Sequence, residues 1–411
     1  MEIINFTDFN YDEKTYTNSF KVSVIENNKL KHFDEIYFKL DEKNSINDNV
    51  MAVVLTTLTG QLYDKIYYDL ELNENIIQQI SDFTKSKVSC KQKINTDFIN
   101  NNINEKIILN FSGGFDSLAL LSILPKNKTE MVSVKWDMEN NYLKRESDFF
   151  KKFNPHILET NFRNFVNKTK VEQLSGIWQF MSIGSMLYNE LLHFKFHTFG
   201  TIFEAWGLHG SSKVSTRKKF SNPPFNQIGL TDLKICQGLT EVGTALIVAK
   251  SFPYLVDDSL KSLAAPNSTK YYRKQLIMKI IQEKYGLKDM YLNLNDFKEP
   301  ERKIDFNYFA DGFLVLWYLK HIGFEKTKRI VSNLPEDIMN VVDKCSLNFY
   351  EKYNSNFLNN LPEDIKLDVM KNLIKLGILP YDEQDYQELK IVLEYLKDYY
   401  PILKDNWDKY F

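Results

Sequence analysis

Two adjacent glycines, two serines and an aspartate stand between an apolar strand-like run and an apolar helix-like run in KIILNFSGGFDSLALLSILP, Lys106 to Pro125. Glycine lets a backbone turn tightly off a strand and approach a ligand with no Cβ in the way. Gly113 and Gly114 would therefore let amide hydrogens at the helix start face phosphate oxygens. Ser112 and Ser117 add hydroxyl donors. Asp116 is the odd member, because a carboxylate beside phosphates repels them unless a divalent cation lies between, and this makes it a Mg2+ ligand candidate. The plainer alternative is a strand-turn-helix whose small residues only permit close packing. No GxxxxGK[ST] occurs, so a Walker-type site does not compete.

The elements around this loop alternate. From Lys106 the pattern runs strand KIILNF, helix DSLALLSIL, strand EMVSVKW, helix YLKRESDFFKKF, strand HILETNF, a helix within VEQLSGIWQFMSIGSMLYNELL, and a strand around FKFHTFGTIF. Such alternation predicts an α/β fold with a parallel sheet covered on both faces, which binds ligands at the carboxyl ends of its strands. Residues 1–100 read as a small β-rich N-terminal domain: FKVSVIE, HFDEIYFKL, VMAVVLTTL and KIYYDLEL as strands, NENIIQQISDFTKSK as a helix. The Asn-rich stretch from Asn95 to Glu105 predicts a linker. Residues 106–299 form the expected loop-bearing domain and 300–411 a helical region, with apolar residues three and four apart. NLPEDI occurs at Asn333 and at Asn360, each copy readable as a helix start with proline in the first turn.

Composition narrows the classes. The 411 residues exceed one ordinary core, and 43% hydrophobic with 26% charged residues is the balance of a folded globular protein. Lys plus Arg number 52 against 54 Asp plus Glu, so no overall basic field holds a nucleic acid. The local cluster Lys213, Arg217, Lys218 and Lys219 reads as a solvated loop or a phosphate-binding one. Cys90, Cys236 and Cys345 never form a CxxC, which leaves a disulfide framework, a zinc ribbon and an iron–sulfur cluster without material. No apolar run reaches a membrane span and the N-terminus lacks a signal pattern, so the expected compartment is the cytoplasm. His193 and His197, four apart, lack a third ligand for a metal site.

SGGFDS resembles the SGGxDS signature of the PP-loop, or N-type ATP pyrophosphatase, superfamily. The resemblance implies an adenine nucleotide alpha hydrolase-like fold, with ATP and Mg2+ as cofactors. It also implies a pyrophosphate loop of Phe111, Ser112, Gly113, Gly114, Asp116 and Ser117, in which Asp116 is catalytic through its metal. Members of that family cleave ATP between the α- and β-phosphates, transfer AMP to a carbonyl oxygen, and let a nucleophile displace it. Downstream, SFPYLVDDSLKSLAAPNSTKYYRKQLI is similar to the asparagine synthetase and β-lactam synthetase branch. Pro253, Leu255 and Asp257 match its first element and Lys270 its catalytic lysine, with Arg273 and Lys274 close to the family's arginine but out of register. A solvated helix lysine is the alternative for Lys270. The match covers Lys106 to Ile281. Trp136 stands where this family places the adenine and would equally serve as core; Glu159, Thr160 and Asn161 would line the same crevice.

The implied protein is an ATP-dependent, AMP-forming amide or C–N ligase. It would join a small-molecule carboxylate or carbonyl substrate to ammonia or an amine. Alternatives are a PP-loop sulfurtransferase, a nucleobase- or tRNA-modifying enzyme, and a non-catalytic nucleotide-binding module. Two departures from the branch matter. Glu2 stands where asparagine synthetases expose a cysteine after Met1, so no glutaminase is built in and a separate glutaminase or carrier partner would deliver nitrogen. FEAWGLHGSSKVSTR keeps Gly207 and Gly210 but has serines where the branch has acids, which leaves Glu204 and Glu241 as candidates for a second Mg2+ ligand.

Overall fold

The structure, a computed structural model, describes residues 1–95, 104–137, 141–168, 178–205, 224–292, 300–359 and 361–404. Alternating β-formers build three long strands at its start, β1 (Glu2–Asp12), β2 (Thr17–Glu26) and β3 (Lys29–Lys39). In β2 the alternation becomes burial, with Phe20 and Val22 inside and Lys21 between them exposed. The next apolar run, VMAVVLTTL, corrects its reading as a strand. It is the body of α1 (Asp48–Thr59), buried from Asn49 to Thr59. A helix without a polar face carries no period to betray it, and the deciding feature is local: the Asn47 side chain accepts the Asn49 N–H at 2.9 Å and starts the helix.

β4 (Lys65–Asn73), α2 (Glu74–Thr84) and β5 (Lys87–Ile94) complete the N-terminal portion. The expected alternation follows: β6 (Asn104–Asn110), α3 (Phe115–Ile123), β7 (Thr129–Trp136), α4 (Asn141–Phe150), β8 (His156–Thr160), α5 (Phe162–Lys168), α6 (Ile183–Leu192), β9 (Phe194–Phe199) and the short β10 (Thr231–Asp232). The ten strands form one mostly parallel sheet in the order β10-β9-β6-β7-β8-β3-β2-β1-β4-β5. Pairing is parallel from β10 to β8 and again from β1 to β5, and antiparallel from β8 through β3 and β2 to β1. The N-terminal strands thus do not stand as a small sheet of their own, because β3 pairs with β8 at Phe38↔Thr160 and Lys39↔Glu159.

The chain divides into two compact units, Met1–Ser112 with Lys128–Phe199 and Lys218–Leu233, and Gly113–Asn127 with Gly200–Arg217 and Lys234–Phe411. Neither ends at the boundaries expected near residues 100 and 300. The first unit holds the whole sheet and a core that includes Ile4, Phe6, Val53, Ile108, Leu158 and Met186. The second is helical: α3, then α7 (Glu241–Ser251), α8 (Val256–Leu263), α9 (Thr269–Tyr285), α10 (Phe309–Ile322), and later helices Glu363–Lys375 and Glu383–Leu396. In α10 the run Phe313–Leu319 is wholly buried, and the Trp317 indole donates to Glu351 at 3.0 Å. The two NLPEDI copies part ways: Pro362 precedes a helix at Glu363, whereas the first copy enters a turn and its helix begins only at Met339. No described helix is long and apolar enough to cross a membrane.

Candidate functional site

Every contact in this site lies within the second unit. Gly113 adopts φ +76°, a left-handed conformation that glycine takes without a Cβ clash, and this turns the chain into α3. Gly114 is the N-cap and offers no side chain to the first amides. Ser117 closes the first turn by donating to Gly114 O at 3.0 Å. Asp116 Oδ1 accepts the Thr244 hydroxyl from α7 at 2.8 Å. Gly200 makes the neighbouring segment fit, since a Cβ there would lie 2.7 Å from Asp116 Cβ and 3.2 Å from Ser117 N. Ser259, on α8, donates to Gly113 O at 2.8 Å.

Behind Asp116 lies a buried set of charges. The first residue of α7, Glu241, accepts from Lys274 at 3.0 Å and from Arg273 at 3.2 Å, and Arg273 also pairs with Asp311. Lys274 Nζ lies 5.2 Å from the centre of the Phe115 ring at the start of α3. Burial alone would raise the Glu241 carboxyl, but Arg273 and Lys274 outweigh it and hold it down to about 2. Glu204 behaves oppositely. Burial, reinforced by the charges of Glu241 and Asp116, pushes its carboxyl up to about 8, so it stays protonated at neutral pH. Its Oε1 accepts the Glu241 N–H at 2.9 Å, and its Oε2, on a side chain 1% exposed, has no hydrogen-bond partner among the described residues. Two neighbouring carboxyls driven apart in this way are the arrangement from which acid and base roles are drawn. Burial, reinforced by Asp116 and Glu204, pushes the Cys236 thiol up, and its sulfur lies 3.9 Å from Asp116 O.

The two stretches that carry the resemblance therefore meet through Ser259 and Gly113; of the two candidates for a second metal ligand, Glu204 feels the charge of Asp116, and it accepts the backbone N–H of the other, Glu241. Lys270 stands exposed in the first turn of α9. Lys274, one turn on and read from sequence as out of register, is instead 5% exposed and paired to Glu241. No local signal marked it, because its partner lies 33 residues earlier. Asp257 pairs with Lys261 at 2.7 Å within α8 of the second unit, while Phe111, Ser112, Trp136, Glu159, Thr160, Asn161, His193 and His197 belong to the first. Phe111 is buried with its ring 4.9 Å from that of Phe153, and Ser112 is the last residue before the unit changes. Trp136 is 6% exposed, edge-on to Phe180, with the Arg163 guanidinium over its ring. Glu159 pairs with Lys135 at 2.8 Å, Thr160 donates to Tyr37 O, and Asn161 donates to Glu35 O. His193 ends α6, while His197 is fully buried. The basic cluster 213–219 and Gly207 and Gly210 lie outside the described residues. Set against known family models, curated proteins and solved structures, the chain matches none.

Proposed function

We propose that the chain is an ATP-dependent, AMP-forming ligase with the adenine nucleotide alpha hydrolase-like layout, helices covering both faces of its parallel sheet. In this reading it activates a small-molecule carboxylate or carbonyl and joins it to ammonia or an amine. One observation supports the reading: two stretches whose joined residues are 146 apart in sequence, one resembling the PP-loop superfamily and the other its asparagine synthetase and β-lactam synthetase branch, are linked by the Ser259 to Gly113 hydrogen bond. Because a peptide is planar and trans, tying the Gly113 carbonyl to Ser259 directs the Gly114 N–H to the opposite side of that peptide, where an anion would sit.

The residues present fit Mg2+ as a nucleotide-dependent ligand. Asp116 offers Oδ2 while Thr244 holds Oδ1, and one carboxylate suffices where phosphates and waters complete the octahedron. Among the described residues no three-donor group surrounds Asp116, so metal is expected there only together with nucleotide. When bound, ATP supplies a pyrophosphate leaving group. The chain's own part is to cradle that pyrophosphate with Gly113, Gly114 and Ser117. Glu204 adds a protonated carboxyl, and the Lys270 ammonium would face the oxyanion formed as the amine attacks. The test is release of AMP and pyrophosphate from ATP by the purified chain over pooled carboxylates and amines. ADP and phosphate as the only products would overturn the reading.

A further inference from the structure

We propose that Asp41, Glu42 and His156, in the first unit, bind a divalent transition-metal cation of the zinc class. Each offers one ligand atom, two carboxylate oxygens and an imidazole nitrogen, all within 4.8 Å of one another. Asp41 and Glu42 follow β3 after Leu40, and His156 opens β8. No sequence spacing announces the set; the antiparallel pairing of β3 with β8 assembles it.

What separates this group from ordinary surface charge is a buried side chain that fixes two of its members. Tyr188 on α6 is fully buried, and its hydroxyl lies 2.5 Å from Asp41 Oδ1 and accepts the Asp41 N–H at 3.1 Å. The Ile157 N–H donates to Asp41 Oδ2 at 3.1 Å, so the carboxylate is held at both oxygens, each keeping a lone pair. The Tyr188 ring also lies 5.1 Å from the imidazole of His156, whose Nδ1 is 3.6 Å from Glu42 Oε1. Partners that orient metal ligands in this way are the usual second half of a metal site. An imidazole with two carboxylates favours Zn2+ and its neighbours over Mg2+ or Ca2+, which prefer oxygen alone. Asp41 and Glu42 are exposed, which gives the ion an entry path, and three protein donors leave room for water. A bound ion would clip β3 to β8 where the ladder has two register pairs.

The test uses the full chain, stripped with chelator and titrated with Zn2+ by calorimetry and with Co2+ by visible absorption. Saturable one-to-one binding is expected, with a rise in melting temperature that Mg2+ does not produce. His156→Ala should abolish it. Glu42→Gln alters an exposed side chain and should leave the fold intact while weakening binding well over tenfold; Tyr188→Phe, which removes only the orienting hydroxyl, should weaken it about tenfold. Absence of saturable Zn2+ binding in the wild-type chain would overturn the proposal. So would binding that survives both His156→Ala and Glu42→Gln, or a thiolate charge-transfer band with Co2+.

Discussion

Each unit buries a polar centre, and the two are built on different principles. In the first, Asn110, Ser185 and His197 form a neutral network. Asn110 donates to Ser185 Oγ and to Thr198 O at 3.2 Å, and Ser185 donates to Ser182 O at 2.8 Å and so accepts from His197 Nδ1 at 3.1 Å. Burial pushes the His197 imidazole down to about 3, so it carries no charge at neutral pH. In the second, Glu241, Arg273 and Lys274 remain ionised next to the protonated Glu204. Neutral hydrogen bonds can hold a sheet together at small cost, whereas buried charges are expensive to keep unless they serve something beyond stability. Under the proposed function, the charged centre of the second unit is the one that would serve the reaction.

Removing Glu241 should show the largest effect. Glu241→Ala strands Lys274 in the interior and leaves Arg273 with Asp311 alone, and should cost about 3–5 kcal/mol by urea denaturation. A loss near that of an ordinary surface variant would erase the contrast. Next come the two lysines of α9. Lys270→Ala should slow product formation by roughly a hundred- to a thousand-fold, about 3–4 kcal/mol of barrier, with melting unchanged. Lys274→Ala should lower stability as well, because it removes a partner of Glu241. If both variants only melt earlier, or neither loses activity, the role given to Lys270 is wrong.

The two centres respond to pH in opposite directions. The His197 pKa is depressed below its unfolded value of 6.5, so its contribution is fully present above that pH and is lost as pH falls toward 3. The Glu204 pKa is raised above its unfolded 4.5, so its contribution is present below that pH and is lost as pH rises toward 8. Each slope is at most about 1.4 kcal/mol per pH unit, and they oppose one another between 4.5 and 6.5. Stability measured against pH should therefore be flattest there, with Glu204→Gln removing the alkaline slope and His197→Asn the acid one. The smallest effect belongs to the loop: Gly113→Ala forces a Cβ into a left-handed conformation and should cost about 1–2 kcal/mol of stability. ATP binding, followed by calorimetry, should fall by more than that loss explains.

Much of the parallel block was legible in sequence, because β6, α3, β7, α4, β8 and β9 are short runs punctuated by Gly, Pro and Asn. The loop and Asp116 were legible for the same reason, being contiguous. α1 was not, since burial on every side removes the periodicity on which a helix is recognised. α9 hid Lys274 in a similar way, with Tyr271, Tyr272, Gln275, Leu276 and Ile277 buried around it and no apolar stripe to set it apart. Its role depends on Glu241, and contacts between distant segments leave no mark on either one.

The interleaving of the two units also sets an order of events during synthesis. All ten strands of the large sheet have been made by residue 232, but α3, made before β7, belongs to a unit whose remaining bulk is residues 234–411. At roughly 5–20 residues per second those residues take on the order of ten to forty seconds to emerge. Through that interval Leu118, Ala119, Leu120 and Ile123 of α3, all fully buried in the finished protein, have no completed core to enter. Nascent chains halted near residue 240 should be bound by chaperones through this helix, and the glycine loop would be among the last parts of the molecule to take shape.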